Sequence, residues 1–367
     1  MVILMLDLII APGSTKGVSR AILVGVVLAA LIVGGIGGYL LSQPPPPEEP
    51  TPLESELLVY GTIDLADVQP VISVFGVEHP EVDVQYEEFI PPTLLSRIQA
   101  EIDAGERTAD LVLASHTATW SLQLDGLLQS YVSPERENLP EGLYDTEGQW
   151  DAVLYLPIVF LYNTENVQAD QVPRTLEELS DPQWEGRVIM HDVTLGSIGT
   201  QYLASLREYM DLVEWDGFVS DLATNVQPTL SRRTSAIVDG VSTGEWDIGL
   251  VAFLHDVVSY KEDGAPVEWF LPEEIPYMST FTSGGILEAA ESPRAAEAFL
   301  DFLLGETAQT VLGNTPVRFP VRVGVGATYS VGSVLPGEEI QLYPTEDAFI
   351  NRQDWADDFE ARGFGAP

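Results

Sequence analysis

The sequence predicts an α/β protein with two lobes and a ligand cleft at the point where the chain passes from one lobe to the other. Strand–helix–strand patterns occur before residue 115 and again after residue 185, so each region can form a sheet of its own. Between them lies the apolar run AVLYLPIVFLYN at residues 152–163. Its β-branched and aromatic residues favour a strand, and Pro157 would interrupt a helix. We interpret this run as a buried crossover strand that acts as a hinge.

The charge of the chain limits its partners. The formal net charge is -41, with 57 acidic and 16 basic residues. Such a surface repels nucleic-acid phosphates and anionic lipid head groups, so we expect no nucleic-acid partner. An acidic, lysine-poor surface also suits concentrated salt, where ions screen the self-repulsion, and a halophilic habitat is therefore predicted. The absence of cysteine excludes disulfides and thiolate metal sites.

A membrane anchor is predicted near the N-terminus. Residues 21–41 form an uncharged apolar segment of 21 residues, which would be about 31 Å long as a helix and would span a bilayer. Basic residues precede it and acidic residues follow, so residues 1–20 are expected in the cytoplasm and the rest outside the cell. Because the usual signal-peptide core has only ~7–15 apolar residues, we favour an uncleaved signal anchor over a cleaved signal peptide. The Pro-rich residues 42–55 then form a stiff linker.

The first lobe is predicted to contain a parallel sheet. Its predicted strands are Glu56–Tyr60, Val82–Phe89 and Ala109–Ala114, with helices at residues 65–75 and 94–104. Ligands bind beyond the carboxyl ends of the strands in such sheets. The candidate ligand-binding residues at these ends are Thr62, Asp64, Ser115, His116 and Thr117.

The second lobe repeats this alternation of strands and helices. Its predicted strands are Gly186–Met190, Trp246–Phe253 and Pro266–Leu271, and its helices end at Met210 and Gly240. A strand at Thr280–Leu287 returns the chain to the first lobe, and Trp355 and Phe359 are expected to anchor the polar C-terminal region by packing. We therefore assign residues 56–154 and 278–367 to lobe 1, and residues 155–277 to lobe 2.

Several motifs follow one another in a recognisable order. They are TADLVLASHTATW, LPIVFLYNTENV, DPQWEGRVIM, STGEWDIGLVAFLHDVV and SPRAAEAFLDFLLGETAQTVLG, followed by PVRFPV. Each motif alone is common, but their order and spacing, over roughly residues 56–325, resemble the extracellular solute-binding proteins of ABC importers. The match is to the type-2 periplasmic-binding-protein fold and its ferric-iron-type subgroup. The resemblance implies two α/β lobes that close over a solute, with an ABC permease and ATPase as partners.

The resemblance also identifies where a ferric-iron site would lie. The iron-binding members of this family use two adjacent tyrosines after the strand that corresponds to WDIGLVAF, and this chain has Leu254 and His255 at those positions. A carboxylate that some members place after the strand corresponding to ADLVLA is Ser115 here. The resemblance therefore implies solute capture, but without the phenolate ligands.

Three of the four histidines form a candidate metal site. His116, His191 and His255 all follow predicted strands on the cleft side, and Asp192 and Asp256 come directly after two of them. Imidazole and carboxylate suit iron or a divalent transition metal, so we predict these residues as ligands of a transported metal ion. The alternative is that each histidine caps a helix or bonds a loop.

A second candidate chemistry is anion binding. Residues 194–200 are rich in glycine and hydroxyl groups and precede a helix, whose N-terminus favours negative charge. We predict that Ser197, Thr200 and Arg232 contact an anionic ligand, although an arginine pair bonded to neighbouring acids is the alternative. A further alternative is an organic cation stacked on aromatic residues, of which the candidates are Trp120, Tyr155, Tyr162 and Tyr202.

The sequence predicts a binding protein rather than an enzyme, because it contains no P-loop, no Gly-x-Ser-x-Gly elbow and no His-Glu-x-x-His pair. We expect a monomeric, membrane-anchored component of an ABC importer with no required cofactor. It would capture a small ligand, such as iron, another metal ion or its anion complex, and deliver it to a permease. The alternatives are a binding protein for thiamine, a polyamine or a phosphorylated compound, and a ligand-sensing ectodomain.

Overall fold

The computed structural model describes residues 52–314, 318–328, 330 and 339–365. The predicted cytoplasmic N-terminus, the predicted anchor at residues 21–41 and most of the Pro-rich linker lie outside these residues. Within the described part of the chain, no helix has both the length and the apolar character that crossing a membrane requires.

Strands and helices alternate through the first part of the chain. The elements are β1 (Glu56–Gly61), α1 (Leu65–Glu78), β2 (Asp83–Glu88), α2 (Pro91–Ala104), β3 (Leu111–Ser115) and α3 (His116–Leu124). The parallel pairs β1–β2 and β1–β3 form the outer half of a sheet. Helix α2 ends where Gly105 adopts a left-handed conformation, with φ of 66°, which allows the chain to turn sharply into the next strand.

The long strand β4 (Asp151–Asn163) passes through the centre of the molecule. Residues 151–158 pair with β9 (Met278–Ile286), and residues 158–162 pair with β7 (Ile248–Phe253). The sheet order is β2-β1-β3-β9-β4-β7-β5-β6, with both β4 and β9 in the middle. Residues 152–163 therefore form a strand that links two groups of parallel strands.

The second group of elements follows β4. It comprises α4 (Leu176–Leu179), β5 (Val188–His191), α5 (Ile198–Tyr209), α6 (Leu212–Asp221), β6 (Thr229–Ser231), α7 (Thr234–Ser242), α8 (Leu254–Glu262) and β8 (Val267–Phe270). Strands β5, β6 and β7 are parallel, so their carboxyl ends lie at one edge of the sheet. Helices α5, α7 and α8 begin just beyond that edge.

The core of lobe 1 is completed by residues that follow β9. Helices α9 (Pro293–Leu304) and α10 (Glu306–Asn314) pack their apolar faces against β1, β3 and α1. The fully buried Asp110 accepts hydrogen bonds from the backbone N–H groups of Leu58, Glu291 and Ser292, at 2.8–2.9 Å. Because these donors lie in β1 and at the start of α9, the buried carboxylate connects the helix to the sheet, and the three hydrogen bonds stabilise its charge.

The C-terminal helices pack on lobe 2, whereas the sequence analysis assigned them to lobe 1. After β10 (Phe319–Pro320) and β11 (Gln341–Leu342) come α11 (Glu346–Ile350) and α12 (Arg352–Ala361). Both helices pack on α5 of lobe 2, although residues 278–367 were assigned to lobe 1. The physical reason is apolar burial: Tyr343 and Phe359 are fully buried in the same core as α5 and α6. Phe359 thus packs as the sequence predicts, but against the other lobe.

Candidate functional site

At the carboxyl ends of the lobe 1 strands, the predicted residues mainly stabilise local structure. The Thr62 hydroxyl accepts a hydrogen bond from the Ser115 N–H at 3.1 Å, which joins the ends of β1 and β3. The exposed Asp64 caps α1 by accepting a hydrogen bond from the Ala66 N–H at 2.8 Å. The hydroxyls of Ser115 and Thr117 are 3.3 Å apart at the start of α3. The structure brings Thr62, Ser115 and Thr117 together.

His116 is enclosed by aromatic rings. Its ring is stacked on Phe281 with centroids 4.1 Å apart, and it also contacts Trp120 and the edge of Trp150. Burial lowers the pKa of His116 to about 3, so the imidazole is neutral at physiological pH. Its Nδ1 is buried and has no hydrogen-bond partner. The surrounding rings supply no second metal ligand.

The residues at the end of β5 and in the loop that follows it bond mostly to one another. His191 is buried, which lowers its pKa, and its Nδ1 lies 3.4 Å from the Asp192 carbonyl oxygen. The Asp192 carboxylate accepts hydrogen bonds from the N–H and hydroxyl of Thr194, and the Thr200 hydroxyl donates to the Val193 carbonyl at 2.7 Å. The contacts around Asp192 and Thr200 therefore shape the loop before α5. Ser197 lies at the N-cap of α5, but its side chain accepts no capping hydrogen bond from the first turn of the helix.

The start of α8 differs from the other strand ends because charged side chains from distant parts of the chain act on its residues. His255 Nε2 lies 3.3 Å from the Asp256 carboxylate. Burial lowers the pKa of His255 well below its usual value, and the nearby Arg318 cation acts in the same direction. Burial raises the pKa of Asp256 to about 6, whereas the Arg318 cation opposes this shift and the carboxylates of Asp239 and Asp67 add to it. We call His255, Asp256, Arg318 and Asp67 the α8 cluster. His255 contacts Asp256, Arg318 forms an ion pair with Asp67, and the charge of Arg318 acts on both His255 and Asp256.

Two members of the α8 cluster were missed by the sequence analysis. Asp67 lies in the first turn of α1, and Arg318 lies directly before β10; the two side chains form an ion pair. They are separated by 251 positions along the chain. The only sequence signal was the position of Arg318 within the motif PVRFPV, which follows the last apolar helix of lobe 1.

The predicted three-histidine metal site is not assembled in the described residues. No group of three or more His, Asp or Glu side chains there is arranged to hold a metal ion. The reason is that packing directs the three rings differently: His116 into aromatic neighbours, His191 toward its own loop and His255 toward Asp256. Only the third retains a carboxylate partner that is not committed to shaping a loop.

Arg232 is exposed at the carboxyl end of β6 and lines a cavity of about 610 Å³ between β6 and α7. Within the part of the chain that the structure describes, its guanidinium makes no hydrogen bond or ion pair, and the same is true of Arg233. The alternative of an arginine pair bonded to neighbouring acids is therefore not observed. Arg232 is free to contact a solute.

The aromatic candidates are largely occupied by the protein itself. Trp120 is stacked on Phe349 with the ring centroids 4.5 Å apart. Tyr202 is fully buried, and Tyr162 is buried as well. Burial raises the pKa of Tyr155, which lies in β4, to about 12. Stacking of an organic cation on this set would therefore require existing packing to be displaced.

Comparison with known families decides the kind of protein. A model of the bacterial extracellular solute-binding proteins matches residues 106–336. This chain belongs to that family. Membership confirms the resemblance inferred from the motif order and identifies a solute-binding protein rather than an enzyme.

Individual relatives of this solute-binding protein carry names related to iron. It is 28% identical over 336 residues to iron uptake protein A1 of Synechocystis sp., with 86% of this chain and 90% of the relative covered. It is 22% identical to the Fe(3+)-binding periplasmic protein of Serratia marcescens, with 69% of this chain and 72% of the relative covered.

Solved structures confirm the two-lobed fold of this solute-binding protein. The substrate-binding protein of an ABC transporter from Agrobacterium tumefaciens has a TM-score of 0.70 at 20% identity, covering 84% of this chain and 95% of that chain. A Trichodesmium protein in complex with iron and citrate has a TM-score of 0.69 at 21% identity, covering 84% and 99%. Both similarities concern the type-2 periplasmic-binding-protein fold, and at these identities they show the fold alone.

The two positions at which the resemblance places the ligating tyrosines lie at the start of α8. Leu254 is fully buried at the first position of α8, and His255 follows it. Leu254 therefore serves the core, whereas His255 lies in the α8 cluster. A phenolate pair is not present at these two positions.

Proposed function

We propose that this protein is the solute-binding component of an ABC importer and that it captures iron, carried as an anion complex, between its two lobes. Lobe 1 would comprise residues 56–154 and part of the region after residue 277, and lobe 2 residues 155–277 with the C-terminal helices. The iron-related names of its curated relatives favour iron over thiamine, polyamines or phosphorylated compounds. Residues 21–41 would anchor it to the cell membrane, so that it presents the solute to a permease and its ATPase.

The observation that carries this proposal is the α8 cluster. A neutral imidazole is the form of histidine that coordinates metals, and burial keeps His255 in that form. Asp256 adds a carboxylate oxygen, and both residues lie at the carboxyl end of β7, where ligands bind in sheets of this kind. Two protein ligands would leave most coordination positions of an iron ion unfilled. The solute would therefore supply oxygen ligands of its own. The cation of Arg318 favours such an anionic complex.

Replacement of His255 tests the site. We expect His255→Ala to weaken the binding of ferric citrate by about 10- to 100-fold, because a direct ligand and the partner of Asp256 are both lost. Isothermal titration calorimetry of the parent and variant with ferric citrate, citrate alone and ferrous salt measures this change. His79→Ala is the matched control, because His79 contacts Glu81 and Phe75 and is not a member of the α8 cluster.

Equal affinity of the His255→Ala and His79→Ala variants for ferric citrate would exclude the α8 cluster as the iron site. Heat with citrate alone would instead identify an organic anion as the solute. The remaining predicted contacts, Thr62, Asp64, Ser115, Thr117, Asp192, Ser197, Thr200 and Arg232, stay predictions until the same titration is applied to their variants.

The proposed site also predicts a pH dependence. Coordination needs the carboxylate form of Asp256, and because the pKa of Asp256 is raised to about 6, this form is lost as the pH falls through 6. His255 does not gain a proton in this range, since its pKa is well below its usual value. We expect the affinity for ferric citrate to decrease by up to about tenfold per pH unit below pH 6. Titrations between pH 5 and 7.5 measure this slope, which should flatten in Asp256→Asn.

A further inference from the structure

Four aromatic rings form a continuous stack between the two lobes. Phe349 of α11 lies flat on Trp120 of α3, with centroids 4.5 Å apart and planes 13° apart. Trp120 is stacked on His116 at 5.2 Å, and His116 on Phe281 at 4.1 Å. We call these four residues the aromatic strap.

Phe349 and Trp120, the outer pair of the aromatic strap, belong to different lobes. Helix α11 packs on α5 of lobe 2, and the Thr345 N–H that precedes it donates to the Ser205 hydroxyl at 3.1 Å. Trp120 lies on α3, which directly follows β3 of lobe 1. Phe349 is almost fully buried, at 1% exposure, although it projects from a helix of only five residues. Its contact with Trp120 therefore joins the lobes.

The inner end of the strap lies on a crossover strand. Phe281 belongs to β9 and is paired with Tyr155 of β4, and these two strands connect the lobes. The imidazole between Phe281 and Trp120 is uncharged, because burial lowers the pKa of His116 to about 3. The stack thus runs from the C-terminal helices of lobe 2 to β9, a strand that connects the lobes, with no charged ring in it.

We propose that the aromatic strap controls the angle between the lobes. Rotation of the lobes about β4 and β9 carries α11 with lobe 2 and α3 with lobe 1, so Phe349 must leave the face of Trp120. The strap therefore stabilises the observed arrangement before any solute binds. Stacked aromatic pairs add stability beyond their buried area, which corresponds to a change of about 2- to 10-fold in the ratio of two lobe arrangements. This inference concerns the solute-free protein and does not depend on which solute is bound.

The absence of cysteine makes a direct distance measurement practicable. Spin labels attached through Val77→Cys in α1 and Val213→Cys in α6 mark the two lobes, since these side chains are 80% and 81% exposed. Double electron–electron resonance on the full-length, solute-free protein then reports the distance distribution. The test variants are Phe349→Ala and Trp120→Leu, which remove opposite sides of the stack. The controls are Ile350→Ala, at the half-exposed neighbour in α11, and Trp120→Phe, which keeps an aromatic ring.

We expect both test variants to gain a second distance population, with the ratio changed by about 2- to 10-fold, while both controls keep the parent distribution. Far-UV circular dichroism identifies any variant that does not fold. If Phe349→Ala fails to fold, Trp120→Leu decides the question, because Trp120 is partly exposed and belongs to neither lobe's main core. If the folded test variants keep the distance distribution of the parent, the proposal is overturned. This conclusion is independent of the affinities measured for ferric citrate.

Discussion

Arg136→Ala is expected to lower the free energy of unfolding by about 3–5 kcal/mol, because it leaves a buried carboxylate without its charge partner. Arg136 is 9% exposed and forms an ion pair with Asp151, the first residue of β4, which is fully buried. The guanidinium also donates to the carbonyl oxygens of Asp145 at 2.8 Å and Trp150 at 3.2 Å. The substitution therefore removes three interactions beside the crossover strand. Urea denaturation of the parent and variant measures the loss.

The matched control for Arg136→Ala is Lys261→Ala. Lys261 also forms an ion pair, with Glu268, but the two side chains are 52% and 33% exposed. Exposed pairs contribute about 0–1 kcal/mol, so this variant should unfold almost like the parent. The double variant Arg136→Ala with Asp151→Asn should recover part of the stability, because no buried charge remains. Equal losses for Arg136→Ala and Lys261→Ala would contradict the expectation.

Gly199→Ala is expected to lower the free energy of unfolding by about 1–3 kcal/mol through overpacking. A Cβ atom at Gly199, in the first turn of α5, would lie 2.6 Å from the His191 carbonyl oxygen and 2.9 Å from that of Asp192. Both neighbours are backbone atoms, which cannot move aside by changing a rotamer. The clash would displace the loop between β5 and α5, where several predicted ligand-binding residues lie. Thermal and urea unfolding measure the effect.

Gly76→Ala is the control, because it should raise the free energy of unfolding rather than lower it. Gly76 lies inside α1, and a Cβ there would meet nothing within 4 Å. Alanine is favoured over glycine within a helix by about 0.5–1 kcal/mol, so this variant should be slightly more stable than the parent. If Gly199→Ala were also neutral or stabilising, the helix would have to pack less closely on the end of β5 than the structure indicates.

Histidine positions show how far the sequence could predict the site. The sequence correctly indicated that His116 and His255 follow strands, and it placed the end of β5 one residue early, since His191 is the last residue of that strand. Strand ends are marked by a local change from apolar to polar residues. It could not indicate where each ring points. That direction depends on neighbours distant in sequence, such as Phe281 for His116. A metal site requires several side chains to converge, and convergence is a property of the packed core.

The charged partners of His255 show the same limit. Arg318 and Asp67 are 251 positions apart, and nothing in either local sequence indicates that they form an ion pair. They meet because the chain, after leaving α10, enters β10 beside the crossover strand β4. The position of the α8 cluster therefore depends on how residues from the two ends of the described chain are folded onto one sheet.

The sequence by itself determined the α/β alternation, the crossover strand at residues 152–163 and the family, because these depend on local periodicity and on the order of motifs. Only the tertiary structure decided that α11 and α12 pack on lobe 2, that Phe349 covers Trp120, and that the Arg318 charge acts on His255. These features depend on which apolar surfaces meet when the chain folds. Burial of such surfaces is non-directional, so it follows the shapes of the assembled elements rather than any short stretch of sequence.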